Sequence, residues 1–172
     1  MDIVQRLREL NPQYQTLFTL PQIQLTQFFG IEIDDFAHEI AILSLWLAEH
    51  QMNVKYKQNL NISIPPLPLK PSGHIVCDNA NRTEWADVCP KEDNVEIFIL
   101  GNPPYLGARN QSPEQKKDVD IVLGKIKGAN NLDYIACFFH KAASYLAGAS
   151  ARSAFVSTNS ICQGEQVRLI WP

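Results

Sequence analysis

The sequence predicts an α/β fold with a mostly parallel sheet. Short apolar runs rich in Ile, Val and Phe alternate with longer helical stretches along the chain, the pattern of strands joined by helical crossovers on both faces of a sheet. Polar residues (Glu32, Asp78 and Asn102) stand at the carboxyl ends of successive runs, where open α/β sheets bind ligands. No internal repeat or low-complexity tract competes with this reading.

The elements follow in order. A short amphipathic helix is predicted from about Ile3 to Leu10, ended by Asn11 and Pro12, and a polar, Gln-rich connection follows. "QFFGIEI" reads as a buried strand up to Ile33. Asp34 and Asp35 then stand where acidic residues favour a helix start. The helix "FAHEIAILSLWLAEHQ" is apolar over more than half its surface and should pack between layers. "NISIPPLPLKPSG" is a Pro-rich connection, "HIVCDNA" a second strand and "VEIFILGN" a third.

Ser112 to Gln115, "SPEQ", is a capping box with proline at the first helical position, opening a helix to about Leu123. "NLDYIACFFHKAASYLAG" is a longer helix closed by Gly148, "SAFVSTNS" a fourth strand, and "GEQVRLIWP" the start of another helix.

Composition narrows the class. The 172 residues, 45% of them hydrophobic, suffice for one globular domain with a core. The most apolar stretch, Ile40 to Ala48, falls far short of the roughly 20 residues that cross a bilayer, and the start lacks a secretory pattern. The four cysteines are widely and irregularly spaced with no C-x-x-C pair, which predicts reduced thiols in a cytoplasmic protein and neither a disulfide frame nor a metal site. With a net charge of −3 and no basic run, the chain alone does not look like a nucleic-acid binder, and phosphate contacts would have to come from elsewhere.

Four residues carry the chemistry: Asn102, Pro103, Pro104 and Tyr105, directly after the third strand. Asn102 and Pro103 both precede a proline and are held extended, and neither proline has an N–H to donate. The result is a stiff ledge of acceptors, the Asn102 side-chain oxygen and the Pro103 carbonyl, with an aromatic ring alongside. Such a ledge suits a planar –NH₂ group, which donates two hydrogens while the ring stacks on the rest of the molecule. Asn and Pro are also ordinary turn residues. The full N-P-P-Y tetrapeptide, however, arises by chance at on the order of a few positions per million at average residue frequencies.

Other signals carry less. His38 to Ile42 begins like the H-E-x-x-H zinc helix, but position 42 is isoleucine. His50, His74 and His140 have no ligand-like partners, Trp46 reads as core, and Trp85, in a polar stretch, is open.

"GNPPY" resembles motif IV of the S-adenosylmethionine-dependent amino-methyltransferases, which methylate exocyclic or amide nitrogens. "FFGIEIDDFAHEIAILSLWLAEHQMN", "CDNANRTEW", "NLDYIACFFHKAASYL" and "AFVSTNSICQGEQV" together resemble the MmeI-like (type IIL) combined restriction–methylation enzymes, which methylate adenine in double-stranded DNA. The resemblance runs from about Phe28 over nearly the whole chain and implies a Rossmann-like class I methyltransferase fold. It implies that Glu32 binds the ribose hydroxyls of S-adenosyl-L-methionine and that Ile33 packs on the cofactor adenine. Asp78 would accept from the cofactor's adenine amino group, a contact that Asn79 could share. Asn102 and Pro103 would hold the amino group of an adenine flipped out of double-stranded DNA, with Tyr105 stacked on the base. Taken alone, Glu32 reads as solvated charge at a helix start and Asp78 as an Asx-turn residue.

The same resemblance marks what to expect beyond these motifs. A Gly-rich turn should precede Glu32, yet residues 1 to 29 contain no glycine and no G-x-G occurs. Residues 1–172 are therefore expected to be a partial catalytic domain. They would lack the first strand, the C-terminal strands, the target-recognition domain and any nuclease domain, and be inactive alone. Two other readings stay open: a methyltransferase for protein glutamine amides, whose –NH₂ is much like adenine's, and a non-catalytic remnant or subunit of a split enzyme.

Overall fold

The computed structural model describes residues 23–60 and 73–171, in two compact units, Met1–Cys77 and Asp78–Pro172. The helix expected at Ile3 to Leu10 and most of the Pro-rich connection lie outside the described residues.

In the first unit, strand β1 (Phe29–Glu32) pairs in parallel with β2 (His74–Cys77), Phe29 opposite His74 and Glu32 opposite Cys77. Gly30 lies close under Ile75, and a Cβ there would stand 2.8 Å from Ile75 Cδ1, so the tip of that side chain would have to turn aside. Helix α1 (Asp35–Leu60) starts where the acidic pair predicts: Asp34 accepts from the Ala37 N–H through its side chain and from the His38 N–H through its carbonyl. His38 reaches from α1 to the Ile75 carbonyl, with Nε2 at 3.1 Å, and fastens the helix to the sheet.

Two features of α1 differ from the expectation. It runs on to Leu60 rather than ending near Gln51, since no Gly or Pro interrupts the chain between Asp35 and Leu60. Among the described residues of the first unit it also has a sheet on one side only. Phe36, Ile40, Leu43 and Leu47, at helical spacing, remain 44 to 72% exposed, because the β1–β2 sheet covers only the opposite side of the helix.

The second unit holds β3 (Ile97–Gly101) and β4 (Ala151–Phe155), again parallel, with Ile97 opposite Ala151 and Gly101 opposite Phe155. A single-turn helix α2 (Trp85–Val88) precedes β3; α3 (Pro113–Leu123) and α4 (Ile135–Leu146) lie between the two strands, and α5 (Gly164–Ile170) follows β4. The capping box at α3 is present: Ser112 Oγ accepts from the Gln115 N–H and the Gln115 side chain accepts from the Ser112 N–H. Gly148, at φ +74°, turns the chain after α4.

α4 begins at Ile135 rather than Asn131, because Ala129–Asn131 form a separate 3-10 turn. β4 begins two residues before the predicted Ser153, and its ladder closes where the Val156 N–H meets the Gly101 carbonyl at 3.0 Å. α2 carries too few residues for any periodic signal.

The core of this unit is built on helices. Val119 and Leu123 of α3, Ala129, Leu132 and Tyr134, and Ala136 and Cys137 of α4 form one buried cluster, with Leu106, Ile126, Leu169 and Ile170 packed on its edge. Burial pushes the Cys137 thiol up to about 12. The four cysteines are all free thiols. By contrast Phe98 and Leu100 of β3 are 61% and 78% exposed, so one face of the β3–β4 sheet is apolar and open.

Candidate active site

Gly101 ends β3, and the next four residues are the predicted ledge. Pro103 is buried and anchors the segment, whereas Asn102, Pro104 and Tyr105 are exposed, the Tyr105 ring at 44%. The Asn102 amide has no hydrogen-bond partner among the described residues, so its acceptor and donors are free. The ledge is fastened just beyond Tyr105. The Leu106 carbonyl accepts from the Tyr134 N–H at 2.9 Å and from Gln111 Nε2 at 3.1 Å, and Gln111 also donates to the Leu132 carbonyl at 3.0 Å. Burial of the Gln111 side chain makes these two bonds obligatory.

Asp78 and Asn79, which open the second unit, have different surroundings. Asp78 is exposed, and its carboxyl lies below the ordinary carboxylate range, held there first by the Thr83 hydroxyl and then by the Asn79 N–H at 2.7 Å. Thr83 has a single hydroxyl proton to share between that carboxylate and the Asn79 carbonyl at 2.9 Å. The Asn79 side chain, by contrast, is held at both ends: Oδ1 accepts from the Asn81 N–H at 2.9 Å and Nδ2 donates to Asp118 Oδ2 at 3.0 Å.

Glu32 and Ile33 belong to the first unit. Glu32 closes β1, and its Oε1 accepts from the Ile33 and Asp34 N–H groups at 2.9 and 3.1 Å. No bond engages Oε2 among the described residues. Ile33 stands 68% exposed.

Asp118 of α3 is a residue that the sequence analysis missed. Its carboxylate is 2% exposed and accepts from Arg82 Nε at 2.6 Å, the Tyr134 hydroxyl at 2.7 Å and Asn79 Nδ2 at 3.0 Å. Burial pushes its pKa up, and the three donors outweigh burial, so the group stays below its ordinary value and ionised. The Tyr134 hydroxyl is pushed up by burial and by that same carboxylate. Arg82 also meets Glu114 at 3.1 Å. A signal for Asp118 existed: at α-helical spacing it falls on the stripe of Gln115, Val119 and Val122, and a carboxylate on a core-facing stripe requires partners.

Trp85, left open by the sequence, is structural: its indole N–H donates to the Ala80 carbonyl at 2.8 Å. A cavity of about 390 Å³ lined by Arg82, Trp85, Lys91, His140, Lys141 and Tyr145 touches none of the strand-end residues. Among the described residues no group of three or more His, Cys, Asp or Glu is placed to hold a metal, and no helix is long and apolar enough to cross a membrane.

The family described as "MmeI, DNA-methyltransferase domain" matches residues 1–172. Over 172 residues the chain is 47% identical to DNA methyltransferase A of Bacillus subtilis (strain 168), an overlap of 99% of this chain and 19% of that protein. Among solved structures it resembles the type IIL restriction-modification enzyme MmeI in complex with DNA, with a TM-score of 0.82 and 47% identity over 89% of this chain and 20% of that one. The chain thus spans about a fifth of the length of either.

Proposed function

The chain belongs to the MmeI DNA-methyltransferase domain family, and from that membership we propose that it is the catalytic part of a site-specific DNA adenine methyltransferase of a restriction–modification system. The observation that carries this reading is the end of β3, where an unpartnered Asn102 amide and an exposed Tyr105 ring project from a ledge anchored by buried Pro103.

An adenine amino group is inaccessible inside a duplex, so the base must leave the stack to reach this ledge. There the Asn102 side-chain oxygen and the Pro103 carbonyl each accept one N6 hydrogen, and Tyr105 stacks on the ring. The two acceptors orient the nitrogen lone pair and stabilise the positive charge that develops on it. On receiving a methyl group, N6 would release one of its protons to solvent. S-adenosyl-L-methionine, when bound, supplies the electrophilic methyl for this step.

The residues present fit that cofactor. Glu32 keeps one carboxylate oxygen available for ribose hydroxyls, and Ile33 offers an exposed apolar surface for the adenine ring. Asp78 offers an ionised, exposed acceptor for the adenine amino group. The ledge would equally take a glutamine amide. DNA is preferred because the family and the 47% identical relative are both DNA methyltransferases.

The test is Asn102→Ala in a full-length enzyme carrying this domain, or in the Bacillus subtilis relative with residues 1–172 grafted over the matching segment. Cofactor binding should persist and methyl transfer should fall by about a hundredfold or more, in line with loss of a transition-state hydrogen bond. Retained transfer would overturn the assignment. We further propose that residues 1–172 are a partial catalytic domain of a cytoplasmic enzyme, with target recognition supplied in cis or in trans. The isolated chain then neither binds cofactor tightly nor methylates DNA. Micromolar binding by titration calorimetry would refute that.

A further inference from the structure

We propose that Asp118 is a positioning residue that, together with Tyr134, locks the Asp78 loop and the Asn102–Tyr105 ledge into one rigid arrangement. This inference rests on the methyltransferase reading above and names the residues that set its geometry.

Asp118 gathers three segments. It takes the Asn79 amide from the loop after β2, the Arg82 guanidinium from the following turn and the Tyr134 hydroxyl from the start of α4. A carboxylate that is 2% exposed is tolerated only with such partners: Arg82 supplies the countercharge, and the loss of either neutral donor would leave a buried lone pair unmatched. Tyr134 completes the link. Its hydroxyl is committed to Asp118 while its backbone N–H holds the Leu106 carbonyl, one residue beyond Tyr105. A continuous run of short hydrogen bonds therefore leads from Asn79 through Asp118 and Tyr134 to the exit of the ledge.

The same network separates the roles of two neighbours that the sequence could not. The Asn79 side chain is tied down at both polar ends, Nδ2 to Asp118 and Oδ1 to the Asn81 N–H, and the Asn79 carbonyl accepts from the Arg82 and Thr83 N–H groups at 2.8 and 2.9 Å. Asn79 therefore builds the turn. Asp78, exposed and ionised, is left to meet the cofactor, and its direction is set by the turn that Asp118 holds. A positioning residue of this kind acts on cofactor affinity through Asp78, whereas a mere stability staple would not.

The experiment is a methyl-transfer assay with cofactor titration in the full-length enzyme or graft, comparing Asp118→Asn, Tyr134→Phe, Asp78→Ala and the double variant Asp78→Ala/Tyr134→Phe. Asp118→Asn should raise the cofactor KM about tenfold and Tyr134→Phe about threefold, and both should also lower kcat at saturating cofactor, because the ledge loosens with the loop. In the double variant the KM should equal that of Asp78→Ala alone, because Tyr134 would act through Asp78. If Asp118→Asn does not fold, Tyr134→Phe, which removes a single hydroxyl, decides the matter.

An unchanged cofactor KM in Tyr134→Phe and in any folded Asp118→Asn, with only the melting temperature lowered, overturns the proposal. So does a Tyr134→Phe effect that simply adds to that of Asp78→Ala. If Asp78→Ala raises KM while the other two variants do not, the positioning role fails and the methyltransferase reading stands. If Asp78→Ala itself leaves KM unchanged, the assignment of Asp78 fails and the proposal falls with it.

Discussion

Gly101 faces Phe155 across the β3–β4 ladder so closely that a Cβ on Gly101 would stand 3.3 Å from Cδ1 of the Phe155 ring. That ring is itself held edge-on by Phe139, with centroids 5.4 Å apart, and has little room to retreat. Gly101→Ala should therefore lower stability by about 1 kcal/mol through overpacking. Because Gly101 directly precedes Asn102, it should also reduce methyl transfer in the full-length enzyme. Denaturant midpoints and initial rates check the two effects separately, and an unchanged midpoint would mean that the ring yields freely.

The Asp118 network makes stability depend on acid. The folded carboxyl titrates below its ordinary value of 3.8, so its contribution is fully present above the unfolded pKa and is lost as pH falls through the folded one. Glu114, held low by Lys117 and then by Arg82, and Asp78, held low by Thr83 and Asn79, act in the same direction. The denaturant midpoint of the chain should drop between about pH 5 and pH 3, the range in which unfolded carboxylates begin to protonate. Asp118→Asn should be less stable at pH 7 and show a shallower drop. A variant with the wild-type pH profile would remove Asp118 from this account.

Ser112 offers a local test with no bearing on chemistry. Its hydroxyl accepts from the Gln115 N–H at 3.2 Å and completes a reciprocal capping box at the start of α3. Ser112→Ala should cost about 1 kcal/mol, and Ser112→Asp should recover most of it, since aspartate also caps and favours a helix start. Thermal melting of the three proteins measures this, and an Asp variant no better than Ala would show that the bond carries little.

The legible parts of this protein were those governed by local rules. The acidic start at Asp34, the capping box at Ser112 and the end of β3 at Gly101 each depend on a few consecutive residues, and each lies where the sequence puts it. The open side of α1 was not legible, because periodicity reports that Phe36, Ile40, Leu43 and Leu47 are apolar and cannot report what covers them. Asp118 was overlooked for the opposite reason. Flanked by Lys117 and Val119 in a run of charges, it reads as one more solvated carboxylate until Asn79, 39 positions away, is brought against it. The strand-end residues stand out by type and position, but that the Asn79 side chain bonds to Asp118 and to the Asn81 N–H depends on contacts the sequence does not display.

Both ladders in this chain join strands that lie far apart in sequence, Phe29 with His74 and Ile97 with Ala151, and neither is closed by a hairpin. Folding of this kind is slow, because the entropy of a long loop must be overcome before any rung forms. During synthesis β3 leaves the ribosome well before β4 exists, and it carries Phe98 and Leu100, which remain largely exposed even after pairing. A nascent chain in that interval presents a short apolar segment with an unpaired edge, the kind of segment that chaperones bind and that otherwise aggregates.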